Sequence, residues 1–119
     1  MRVDTVTMTP YPKDFDYNRA WDLTVRLFKE NARKAQVHDI KIVWEVEPGR
    51  IFNKPSEILN LINEVNMENF RIQYDTAHGQ MCAVVGAHQY GDREIVEGGQ
   101  QEFIRSLGNA IGDVHIIDN

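Results

Sequence analysis

Thiol chemistry is nearly absent from this sequence: Cys82 is its one cysteine. A single thiol closes no internal disulfide, and without a CxxC neighbour it builds no thiolate zinc site. Cys82 therefore reads as a small apolar side chain. Long apolar runs are missing as well. None approaches the ~18 to 20 residues of a bilayer span, and the opening MRVDTVTM lacks the h-region of a secretory signal. No membrane partner is expected, and the cytoplasm is the expected compartment. Basic clusters are also lacking, since 13 Lys and Arg stand against 18 Asp and Glu for a formal net charge of −5. A protein that grips many phosphates needs a basic footprint, so no nucleic acid is expected as partner. Low complexity and disorder are excluded by the 42% hydrophobic and 26% charged content over 119 residues, which suits one modest core.

Segments of strand and helix character alternate along the chain. Val3 to Met8 is β-rich and ends at Pro10, Tyr11 and Pro12. Asp14 or Asp16 then caps a long amphipathic helix ending near Val37. Its stripe runs through Trp21, Val25, Phe28, Ala32 and Ala35, widened by Leu23 and Leu27. Ile40 to Val46 forms a second strand closed by Pro48 and Gly49. Pro55 opens a second helix that buries Ile58, Leu59, Ile62 and Val65 and ends near Asn66. Phe70 to Tyr74 is a third strand. Residues 79 to 99 read as a long glycine-punctuated loop with a short helical turn around Met81 to Val85. A third helix spans about Gln100 to Ala110, burying Phe103, Ile104 and Leu107, and Val114 to Ile117 is a fourth strand. Such alternation, with connections long enough for crossovers, predicts an α/β fold with parallel strands. The polar face Arg71, Gln73, Asp75 beside apolar Ile72 and Tyr74 favours a barrel over a flat, doubly covered sheet.

Chemistry-bearing residues gather where strands end. Glu45 and Glu47 lie at the end of the second strand, Asp75 and His78 at the end of the third, and His115 and Asp118 at the fourth. In parallel α/β folds that edge collects ligands, because loops from several strands converge there. Carboxylates with imidazoles suit a divalent metal ion such as Mn²⁺, Co²⁺, Mg²⁺ or Zn²⁺. Taken singly, each has an ordinary reading: Glu45 and Glu47 as solvated strand-end charges, Asp75 as a loop cap, His78 and His115 as core or surface histidines. Their joint position at strand ends makes them candidates. His38 and His88 stay with the ordinary reading. Met8, Met67 and Met81 serve packing, and Trp21 and Trp44 join helices to the sheet.

Three strings in order carry a resemblance. Trp44-Glu45-Val46-Glu47-Pro48-Gly49 resembles a fifth-strand signature in which a Glu ends the strand before a Pro-Gly turn. Tyr74-Asp75-Thr76-Ala77-His78 resembles a sixth-strand D-T-x-H. Val114-His115-Ile116-Ile117-Asp118-Asn119 resembles a seventh-strand motif. The signatures they resemble are those of the xylose isomerase-like TIM-barrel superfamily, within its sugar phosphate isomerase/epimerase family. The resemblance implies a single domain over residues 1–119, holding about four βα units, strands four to seven of a (β/α)₈ barrel. It further implies Glu45, Asp75 and His115 as ligands of a divalent metal, Glu45 and His78 as catalytic groups, and His78, Glu47 and Arg50 beside the substrate.

A ketose or sugar phosphate isomerase or epimerase working through an enediolate is the activity implied, with a small-molecule sugar as partner. In such epimerases a further glutamate near the end of the eighth strand completes the metal site, and it has no counterpart up to Asn119. The chain is therefore expected to be an incomplete half that self-associates or pairs with the missing part of the barrel. Alternatives are a DNA-repair endonuclease-like phosphodiester hydrolase, an inosose dehydratase-like lyase, and a non-catalytic α/β binding module.

Overall fold

The computed structural model describes residues 14–117. The first expected strand, Val3 to Met8, and Asp118 lie outside the described residues. Asp16 caps the first helix, α1 (Tyr17–Gln36), its carboxylate accepting from the Arg19 backbone N–H at 3.0 Å. A four-residue strand follows, β1 (Ile42–Glu45), then α2 (Pro55–Val65). Pro55 opens α2 with a fixed φ and no amide to satisfy. Glu57 reaches back to the Lys54 backbone N–H at 3.1 Å and also accepts from the Tyr17 hydroxyl at 2.8 Å, tying α2 to α1. Asn66 ends α2 in the left-handed conformation, φ 46°.

The second strand, β2 (Phe70–Asp75), runs directly into a short helix, α3 (Thr76–Gln80), and a π-helical turn over Met81–Val85. The helical turn expected within a loop is thus part of a ten-residue helical stretch that starts at the strand end. Sequence periodicity could not show it, because two turns are too short to repeat a stripe. Later comes α4 (Gly99–Leu107), a 3₁₀ turn at Gly108–Ala110 and β3 (Ile111–His115). That strand starts three residues before the expected Val114. Gly112 permits it: a Cβ there would lie 2.5 Å from the Arg71 Cβ, so only glycine lets the two backbones pair this closely.

The sheet has order β1-β2-β3, and both pairings are parallel, so each helix crosses over to the next neighbouring strand. Phe70, Ile72 and Tyr74 point from β2 into the helix layer and are all buried. One apolar cluster joins Phe70 to Val25, Ala32, Phe52 and Leu61, and a second joins Ile72 and Tyr74 to Ile58 and Phe103. Each such side chain contributes about 1.5–3 kcal/mol by leaving water. The stripes are narrower than expected, since Leu23 and Leu27 on α1 and Ile104 on α4 are 42%, 45% and 39% exposed. Arg71 and Gln73 occupy the opposite face of β2, the face that also bears the candidate site.

Candidate metal centre

Strand register builds the site. Glu45 pairs with Gln73, Gln73 with Asp113, and Asp75 with His115. Paired residues share a face and residues two apart return to it, so Glu45, Gln73, Asp75 and His115 stand on one face in two successive rows. Those rows lie at the C-terminal ends of the strands.

Asp75 is 2% exposed, and its two oxygens have different fates. Oδ1 caps α3, accepting from the backbone N–H groups of Ala77 at 2.8 Å and His78 at 3.0 Å. Oδ2 is buried and has no hydrogen-bond partner among the described residues. A buried carboxyl oxygen left so is costly unless a cation or donor meets it. Glu45 stands across from it, with Oε1 3.6 Å from His115 Nδ1 and 4.0 Å from His78 Nδ1. His78 Nδ1 is likewise buried and without a partner among the described residues.

Two sets of donor atoms converge. One ligand atom each from Glu45, Asp75 and His115 lies within 4.8 Å of the others, and the same holds for Glu45, Glu47 and His78. The three residues expected as metal ligands are brought together, and so is His78. Glu47 and Arg50 meet on the loop between β1 and α2, where Arg50 Nε donates to Glu47 Oε2 at 3.0 Å. Gly49, at φ 83°, lets that loop turn back.

Two neighbours were not singled out from sequence. The Gln73 side-chain amide lies 3.0 Å from His115 Nδ1 and holds the ring. The polar alternation Arg71, Gln73, Asp75 was the available signal. Thr76 Oγ1 donates to the Ile117 carbonyl at 3.1 Å and accepts from its N–H at 2.9 Å, pinning the chain after β3 to the start of α3. Nothing in sequence pointed to that cross-link of residues far apart in the chain.

A family model described as xylose isomerase-like TIM barrel matches residues 1–119. The chain belongs to this family. Among curated proteins nothing matches it. A xylose isomerase-like barrel requires parallel, consecutive strands with helical crossovers and a site at their C-terminal ends, and the described elements have that arrangement. No described helix is long and apolar enough to cross a membrane. A divalent ion is common in the xylose isomerase-like superfamily, and the donors here suit one. Two carboxylates and an imidazole combine hard oxygen with borderline nitrogen, and the buried, unpaired Asp75 Oδ2 is the oxygen such an ion would satisfy.

Proposed function

We propose that this chain carries the ligand-bearing part of a divalent-cation-dependent sugar isomerase or epimerase centre. The observation that supports it most is Asp75 Oδ2, an ionisable oxygen 98% withdrawn from water with its residue, unpaired, and converging with Glu45 and His115. Glu45, Asp75 and His115 would hold the cation. When bound, the ion would supply Lewis acidity, withdrawing electrons from a ketose carbonyl and its neighbouring hydroxyl so that the C–H of the hydroxyl-bearing carbon, next to the carbonyl, becomes acidic.

The chain's own residues do the rest. Glu45, partly open to solvent, takes the proton from that carbon onto a carboxylate oxygen. His78 faces the same Glu45 oxygen and hydrogen-bonds the substrate oxygen on which negative charge grows. Asp75 Oδ1 is held by the backbone N–H groups of Ala77 and His78, which fixes the carboxyl group and leaves Oδ2 facing the cation site. Gln73 orients His115. Glu47 and Arg50, joined at the rim, line the approach and offer a carboxylate and guanidinium N–H groups to sugar hydroxyls. Return of the proton to the other face of the carbon needs a second carboxyl group, which this reading assigns to a further strand of the barrel.

Two measurements test the reading. Mass spectrometry of the purified chain after Mn²⁺, Co²⁺, Mg²⁺ and Zn²⁺ exposure is expected to find a bound divalent ion, and finding none would discard it. With the ion present in the full barrel, NMR in D₂O is expected to show solvent deuterium entering a ketose at the carbon beside the carbonyl. Cleavage of abasic-site DNA without any exchange into sugars would replace this reading with a hydrolase.

A further inference from the structure

His78 sits on α3, a helix of five residues. Helices that short have no stability of their own, so contacts must hold it in place. One contact is the Asp75 cap. The other comes from Tyr74, the residue before Asp75, whose side chain passes beneath α3 on the helix side of the sheet. Tyr74 is 4% exposed and packs against Phe103 with ring centroids 6.2 Å apart. Its hydroxyl donates to Gln100 Oε1 at 2.9 Å, and Gln100 Nε2 donates to Gln80 Oε1 at 3.3 Å, so the chain of bonds ends on α3 itself. Burial pushes the Tyr74 hydroxyl up to about 12, which keeps it a neutral donor throughout the working range.

The ring lies directly against Gly79, the neighbour of His78. A Cβ at Gly79 would collide with Tyr74 Oη and stand 2.5 Å from Cζ. Space beside the ring is scarce: the cavity that touches Tyr74, Gly79, Cys82 and Phe103 measures about 10 Å³, the lower limit for a single water. Gly79 has an ordinary helical backbone, so its requirement is space and not a left-handed φ. The spacing of α3 above the sheet is therefore set by one aromatic ring under one missing side chain.

We propose that Tyr74 and Gly79 form a positioning pair for His78, fixing its imidazole relative to Glu45. A rigid turn transmits any lift at Gly79 to His78, and the 4.0 Å separation of His78 Nδ1 from Glu45 Oε1 changes with it. That His78 serves a catalytic centre rests on the function proposed above, whereas the positioning stands on the packing alone.

The test uses the 119-residue chain, free of metal and at one fixed pH, with the four histidine imidazoles resolved by NMR and His78 assigned by substitution. Gly79→Ala is expected to move the His78 ring signals and leave those of His38 and His88 in place. Adding Tyr74→Leu, which shortens the opposing side chain, is expected to restore the His78 signals towards those of the parent. Tyr74→Phe removes only the hydroxyl and keeps the ring, so it carries the test if Gly79→Ala does not fold. It is expected to give a smaller His78 displacement in an otherwise unchanged spectrum. His78 signals identical to the parent in Tyr74→Phe, or in a folded Gly79→Ala of lowered Tm, would overturn the proposal. So would a double variant without recovery. A parent that binds no Mn²⁺ would sink the proposed function instead, and the metal-free imidazole signals would still decide the positioning.

Discussion

Asp75 has two oxygens in unlike surroundings. Oδ1 holds the first turn of α3 through two backbone N–H groups, while Oδ2 is buried without a partner. Asparagine keeps an oxygen for the cap but loses the charge. Asp75→Asn is thus expected to cost less than about 1 kcal/mol of stability, since Asn and Asp cap almost equally. Its affinity for Mn²⁺ is expected to fall by at least about tenfold, or ~1.4 kcal/mol. Calorimetric titration beside thermal denaturation reads both. The reverse pattern, an unfolded variant or undiminished binding, would remove Oδ2 from the site.

Cys82 gives a pH prediction at the same scale. Burial raises its thiol from 9.0 to about 12. The native chain keeps a proton that the unfolded chain releases, so stability is intact below about pH 9 and is lost as pH rises towards about 12. Tyr74, raised from 10.0 to about 12, adds to the decline above about pH 10. Urea midpoints measured from neutral to strongly alkaline pH are expected to fall across that window, and less steeply in Cys82→Ala. Placement was legible where a strand end announced itself, as at Glu45, Asp75 and His115, which close β1, β2 and β3. Thr76 and Gln73 were not, because their partners, Ile117 and His115, are more than forty positions away in the chain. The unequal surroundings of the two Asp75 oxygens were likewise hidden, since they depend on which oxygen faces which neighbour.

Among the elements, the loop between β1 and α2 carries the Glu47–Arg50 pair. Asn53 anchors it. The side chain is fully buried, and its amide donates to the carbonyl of Ala87 at 2.9 Å and more weakly to His88 at 3.4 Å. Phe52 beside it holds a left-handed φ of 62° and packs edge-on against Tyr17 and Trp21. Asn53→Ala leaves those carbonyls without their donor and is expected to destabilise the fold by about 1–3 kcal/mol in urea denaturation. Loosening of the loop is expected to appear as faster amide exchange at residues 47–52. Helices α1 and α2 were legible almost to the residue, because each is long enough to repeat its stripe and carries a capping residue. β3 was placed too late: side-chain propensity favours Val114 to Ile117, whereas pairing with β2 begins at Ile111 through the space left by Gly112.

For the molecule as a whole, β1 and β3 each have one side without a partner strand among the described residues. Open parallel edges invite pairing, and Val114, Ile116 and Ile117 beside β3 are 50%, 84% and 48% exposed. The 119-residue chain is therefore expected to self-associate, with sedimentation velocity showing dimers or larger species whose share grows with concentration. A monomer at every concentration would show that these edges are protected. Sequence by itself determined the α/β class, the parallel order and which residue types gather at strand ends, because side-chain period, capping and strand–helix alternation are local properties. Tertiary structure alone decided that Glu45, Asp75, His78 and His115 converge, that Asp75 Oδ2 is left bare, and that Tyr74 fits beneath Gly79. Those facts depend on strand register and on atoms meeting across separate elements, and no local pattern along the chain encodes either.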